Sequence, residues 1–152
     1  MTRAFIFPGQ ASQKVGMGQA LAEAFPVAHQ VFQEVDDTLN QHLSTLLFEG
    51  PEDELTLTEN AQPALMAVSV AVFRVLEKEA GVTVVESAKF VAGHSLGEYS
   101  ALCAAGSLNI HNTAKLLRIR GKAMQDAVPI GIGAMAAILG LDFNTVNKIA
   151  KS

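Results

Sequence analysis

Apolar residues along the chain fall into short runs separated by longer stretches with a helical repeat, the pattern of buried strands alternating with amphipathic helices. Ala4 to Phe7 is such a run and ends in Pro8-Gly9, which predicts a strand entering a tight loop. From Pro26 to Leu39 the apolar residues Val27, Val31, Val35 and Leu39 recur every four positions, one face of a helix. Pro63 to Ala80 repeats this with Leu65, Val68, Val72, Val75 and Leu76, and Gly81 suits a C-cap. Phe90 to Ala92 predicts a second strand, followed by Gly93-His94-Ser95-Leu96-Gly97 and a helix from Glu98 to Ala105 that stops at Gly106. A helix from about Asn112 to Val128 presents Leu117, Gly121, Met124 and Val128 on one face. Residues 129 to 133 read as a linker, Ala134 to Leu139 as a strand, and Asp142 as the cap of a last short helix through Ala150.

Strands alternating with helices imply an α/β fold with a mostly parallel sheet, because parallel neighbours need crossover connections. Ligands in such sheets bind at the carboxyl ends of the strands, which directs attention to the loops after Phe7 and Ala92. Two or three strands are few for such a sheet, so the expectation is of an incomplete fold.

Composition narrows the picture. With 152 residues and 49% of them hydrophobic, the chain holds enough apolar material for one sizeable core, and disorder is excluded as its overall state. The net charge of −4 without a basic block argues against nucleic acid as a partner. Cys103 stands alone, so no disulfide can form within the chain, and no Cys/His cluster has metal-ligand spacing. No export signal or membrane span is expected either, and a reducing cytoplasm fits best.

Gly93-x-Ser95-x-Gly97 between a strand and a helix matches a nucleophile elbow, where small residues permit a sharp turn that presents the serine hydroxyl at a helix N-terminus. The N–H of Leu96 then points at a developing oxyanion. Gln10, after the first strand, is the natural second donor if the two strands are neighbours; the alternative is a solvent-facing loop residue. At about 100° per residue, Arg120 leans toward the apolar side of its helix and Arg118 faces Ala114, Lys115 and Lys122. An inward guanidinium needs a carboxylate, a phosphate or a structural salt bridge, and all three remain open for Arg120 on this reading. A serine nucleophile also needs a base. His29, His42 and His111 read as surface residues, His94 as a brace for the turn, and Cys103 as a small core residue.

Taken together, Phe7-Pro8-Gly9-Gln10-Ala11-Ser12-Gln13, Gln62-Pro63-Ala64, Gly93 to Ala101 and Arg120-Gly121 resemble the malonyl-CoA:acyl carrier protein transacylase family. Members of that family are about twice as long, and the resemblance is to their N-terminal half. It implies an acyltransferase of fatty acid biosynthesis with Ser95 as nucleophile, Gln10 and Leu96 as oxyanion N–H donors, and Arg120 as partner of the malonyl carboxylate. Gln62 would line the site near Gln10. No cofactor is implied. The expected partners are malonyl-CoA, acyl carrier protein and, as a candidate, a second chain carrying the C-terminal half.

The family's catalytic histidine would lie beyond residue 152, so residues 1–152 alone are expected to be nearly inactive. The fold implied is an α/β-hydrolase-like subdomain over 1–128, a linker at 129–133 and the start of a small ferredoxin-like subdomain over 134–152. A serine thioesterase or esterase would use the same elbow with water as acceptor, and an inactive carrier-protein-binding fragment is the remaining alternative.

Overall fold

A computed structural model describes residues 3–128 and 138–151. In chain order the elements are β1 (Ala4–Phe7), α1 (Gln19–Ala24), α2 (Pro26–Leu39), α3 (Leu43–Glu49), α4 (Glu52–Thr56), α5 (Thr58–Ala80), α6 (Val84–Ser87), β2 (Phe90–Gly93), α7 (Gly97–Ala104), α8 (Ile110–Ala127) and α9 (Phe143–Ile149). The fold is α/β and mostly helical, with a small parallel sheet. In that sheet β1 and β2 are neighbours, with Ala4 opposite Phe90 and Phe7 opposite Gly93. Both strands therefore end at the same edge. His94 N donates to Phe7 O at 3.1 Å and extends the ladder into the turn.

The core lies among α2, α5, α7 and α8, where Val31, Val35, Leu65, Met66, Val70, Leu96 and Leu117 are buried. The apolar stripe of α2 is rotated slightly from the four-residue spacing: Ala28, Val31, Phe32 and Val35 are buried. Phe5 meets Phe73 edge-to-face at 5.6 Å and anchors the sheet to α5. Beside this contact lies an apolar groove of about 290 Å³ lined by residues of β1 and α5. Among the described residues no helix is long and apolar enough to cross a membrane.

Most predicted elements are present within a few residues of their expected ends. The exception is α5, which starts at Thr58 and continues through Pro63. Proline ordinarily belongs in the first turn of a helix, because it lacks the N–H that would bond the carbonyl four residues back. Here the additional turn begins at its own N-cap, Leu57, and is held by neighbouring elements through Asn60, whose Nδ2 donates to Glu54 O at 2.9 Å. Leu57 O accepts from Asn60 N at 2.9 Å and Ala61 N at 2.8 Å, and Asn60, Ala61 and Gln62 are buried against neighbouring elements. Tertiary packing outweighs the local preference of the residues before proline for extended backbone.

Asn109 caps α8 by accepting from Asn112 N, and Asp142 caps α9 by accepting from Asn144 N and Thr145 N. Those hydrogen bonds, led by the one from the Thr145 hydroxyl, hold the Asp142 carboxyl below the usual carboxylate range. The linker expected at 129–133 and most of the strand expected at Ala134 to Leu139 lie outside the described residues.

Candidate active site

The loop after β2 turns sharply at Ser95, whose φ of 56° lies in the left-handed region that non-glycine residues seldom occupy. Two close approaches force the turn. A Cβ on Gly97 would lie 2.4 Å from Phe7 O and 2.6 Å from Pro8 O, and one on Gly93 would lie 1.9 Å from the Gly97 carbonyl carbon. Only glycine at both positions lets α7 start directly against the end of β1. Ser95 is exposed at that start, and Leu96 beneath it is fully buried.

The loop after β1 is braced against this turn. Ser12 Oγ donates to Gly9 O at 2.8 Å, Ala11 N donates to Gln13 Oε1 at 2.9 Å, and the His94 ring lies against Gly9. Gln10 is half-buried rather than solvent-facing, and its Nε2 donates to Thr58 Oγ1 at 3.2 Å. Among the described residues the backbone N–H groups of Gln10 and Leu96 have no hydrogen-bond partner. Two free donors on adjoining loops at a helix N-terminus suit an anionic oxygen.

Arg120 reaches the serine from α8. Its Nη2 donates to Ser95 Oγ at 3.0 Å and its Nη1 donates to Gln62 Oε1 at 2.6 Å, while its Cζ sits 5.9 Å from the Tyr99 ring centroid. Gln62 is fully buried, and its Nε2 donates to Met124 Sδ at 3.4 Å, which leaves Oε1 facing the guanidinium. Among the described residues Arg120 forms no ion pair, so the structural salt bridge considered from sequence is not made. A cation held by a neutral amide beside a serine hydroxyl retains charge for an anionic ligand.

Arg118, on the side of α8 that also carries Ala114, Lys115 and Lys122, finds partners on neighbouring elements. Its Nη1 donates to Asn60 Oδ1 at 2.8 Å and its Nη2 donates to Gln41 Oε1, with Glu59 Oε2 at 3.8 Å from Nη1. Burial pulls its guanidinium below the ordinary value, and the Glu59 carboxylate opposes this. Helical angles place it beside Lys115 and Lys122 but do not show that α5 and the turn after α2 lie against that side.

Gly121 explains how closely α8 approaches: a Cβ there would meet Glu59 Cα at 2.6 Å and Thr58 O at 2.7 Å. Gly121→Ala is expected to destabilise the fold by about 1–3 kcal/mol, since the obstruction is backbone and cannot swing aside. Denaturant unfolding checks this, and an unchanged midpoint would contradict the packing described.

None of the described histidine rings hydrogen-bonds Ser95. His111 Nδ1 lies 2.5 Å from Thr38 Oγ1, and His29, His42 and His94 are exposed. Burial pushes the Cys103 thiol above its ordinary value, against a hydrogen bond with Thr113, which disfavours the thiolate needed of a second nucleophile. The described residues include no group of three or more His, Cys, Asp or Glu able to hold a metal ion.

Comparison with known proteins points the same way. The chain is 53% identical over 146 residues to the malonyl CoA-acyl carrier protein transacylase of Bacillus subtilis (strain 168), covering 96% of this chain and 44% of that protein. It is 46% identical over 145 residues to the protein of the same name from Escherichia coli (strain K12), covering 95% of this chain and 46% of that one. Its fold matches a crystal structure of acyl-carrier-protein-S-malonyltransferase from Bartonella henselae with a TM-score of 0.92 at 61% identity, over 99% of this chain and 48% of that chain. It also matches one chain of a structure described as a type II polyketide synthase acyl carrier protein in complex with its malonyl-transacylase, at a TM-score of 0.88 and 46% identity, again over 99% of this chain and 48% of that chain. The chain thus spans a little under half the length of these relatives. A family model described as the acyl transferase domain matches residues 4–150, and the chain belongs to that family.

Proposed function

We propose that this chain supplies the nucleophile, the oxyanion donors and the carboxylate-binding cation of an enzyme that transfers malonyl from coenzyme A to acyl carrier protein. The observation that carries this reading is the Arg120 guanidinium, hydrogen-bonded to both Ser95 Oγ and buried Gln62 and free of any acidic partner among the described residues. A malonyl thioester offers both an acyl carbon for the serine and a distal carboxylate for the guanidinium fork.

In the first step Ser95 Oγ attacks the thioester carbonyl and its proton passes to a base. The carbonyl oxygen, now negative, accepts from the N–H groups of Gln10 and Leu96. Collapse of the tetrahedral intermediate breaks the C–S bond, the base returns the proton to the departing sulfur so that coenzyme A leaves as the thiol, and malonyl-Ser95 remains. The phosphopantetheine thiol of acyl carrier protein then repeats the sequence in reverse and frees Ser95. Family resemblance assigns the base to a histidine beyond residue 152. Thr58 and Gln62, one turn apart on α5, hold Gln10 on one side and Arg120 on the other.

The same reading takes residues 1–128 as part of an α/β-hydrolase-like subdomain, residues 129–133 as a linker and residues 134–152 as the start of a ferredoxin-like one. The parallel pair β1–β2 flanked by helices supports the first assignment, and the Asp142-capped helix α9 accords with the last. A cytoplasmic setting, where malonyl-CoA and carrier protein would meet it, suits a chain with one unpaired, buried cysteine.

The test is radiolabelled malonyl-CoA with and without carrier protein, using an enzyme that joins residues 1–152 to the remaining length its relatives carry. Label should appear on Ser95 and move to the carrier. Release of free malonate at the same rate whether or not carrier is present would instead mark a thioesterase.

A further inference from the structure

Two arginines two residues apart on α8 grip two amides two residues apart on α5: Arg118 holds Asn60, and Arg120 holds Gln62. The Arg118 half of this pair is the more enclosed. Its side chain is 15% exposed, and Asn60 is buried with its Oδ1 also accepting from Gln41 Nε2 at 3.4 Å and its Nδ2 donating to Glu54 O at 2.9 Å. Asn60 Oδ1 is therefore committed twice and its Nδ2 once, and the guanidinium bridges the N-terminal turn of α5 to Gln41 after α2. At the same level the backbone of α5 abuts Gly121, and Glu59 reaches both Arg118 and, at 4.0 Å, Lys122. Rotation or sliding of α8 against α5 would have to break this cluster, and it would carry Arg120 away from Ser95.

We propose that Arg118, clamped by Asn60 and Gln41, is a positioning residue that sets the register of α8 on α5 and so holds Arg120 over Ser95, making it a determinant of selectivity for acyl groups with a distal carboxylate. The selectivity part rests on the role proposed above for Arg120; the positioning part does not. A guanidinium can donate to both amides at once, whereas a lysine ammonium is a single point charge without that fixed fork. Small displacements of a substrate-orienting group are costly in rate, about 10²-fold for 1 Å.

Arg118→Lys, in the enzyme that joins residues 1–152 to the remaining length its relatives carry, is expected to lower the malonyl-to-acetyl ratio of kcat/KM by about tenfold, through malonyl KM, with acetyl transfer within about twofold of the parent. Gln41→Ala removes one arm of the clamp from a half-buried turn and serves as the milder variant where Arg118→Lys folds poorly; its ratio should fall by about threefold. Side-chain NMR of the Arg120 Nε–H gives a readout without substrate. That resonance should be sharp in the parent and broadened in both variants. Folded variants with an unchanged ratio and an unchanged Arg120 resonance would overturn the proposal, as would equal losses of malonyl and acetyl transfer. A parent enzyme that transferred no malonyl would refute the functional reading alone, and the Arg120 resonance would still decide whether Arg118 positions it.

Discussion

Ser95→Ala is expected to abolish covalent acylation and to lower transfer by about 10⁴- to 10⁶-fold, the loss typical of removing an activated nucleophile. The donors proposed for the oxyanion would remain, because the backbone N–H groups of Gln10 and Leu96 lie on loops set by Gly93, Gly97 and the bracing contacts of Ser12 and Gln13. They cannot form an acyl-enzyme without the hydroxyl. The fold should tolerate the change, with stability altered by less than about 0.5 kcal/mol, since Ser95 is exposed and alanine can occupy the same left-handed backbone at similar cost. Intact-protein mass after mixing with malonyl-CoA, set beside an unfolding curve, measures both quantities. A malonyl adduct persisting on the variant would remove Ser95 from the mechanism.

Arg120→Ala should divide the substrates. Malonyl transfer is expected to fall by about 10²- to 10³-fold, the loss expected when a fork-bound carboxylate loses its cation in a partly enclosed site. Acetyl transfer, which presents no distal carboxylate, should fall by about threefold or less. The variant also leaves Gln62 Oε1 without its donor in a fully buried position, at a cost of about 1–3 kcal/mol in stability. Activities must therefore be compared at a temperature where both proteins are folded, with active sites counted by acylation. Equal falls for the two acyl groups would make Arg120 a structural brace of Gln62 and Ser95.

The geometry of the elbow was legible in the sequence because it is local. Gly93, Ser95 and Gly97 lie within one turn between a strand and a helix, and the steric demand of that turn acts on adjacent residues. Arg120 was half legible: its helical angle directed it inward, but the choice among ligand, phosphate and salt bridge needed its neighbours. The partners of Arg118 were not legible for the same reason, since Asn60 and Gln41 are 58 and 77 residues distant in the chain. Thr58 gave no sign of holding Gln10, because a threonine before a helical stretch reads as an ordinary helix start.

By itself, the sequence determined the two strands, the main helices, the elbow and the inward lean of Arg120, all of which follow from periodicity and steric preference over a few residues. The tertiary structure alone decided that α5 runs through Pro63, that Gly121 admits the backbone of α5, and that Gln10, Gln62, Arg118 and Arg120 converge on its first turns. Those features arise where two helices and two loops meet. Their energies depend on burial and on hydrogen bonds between segments far apart in the chain, which local patterns do not encode.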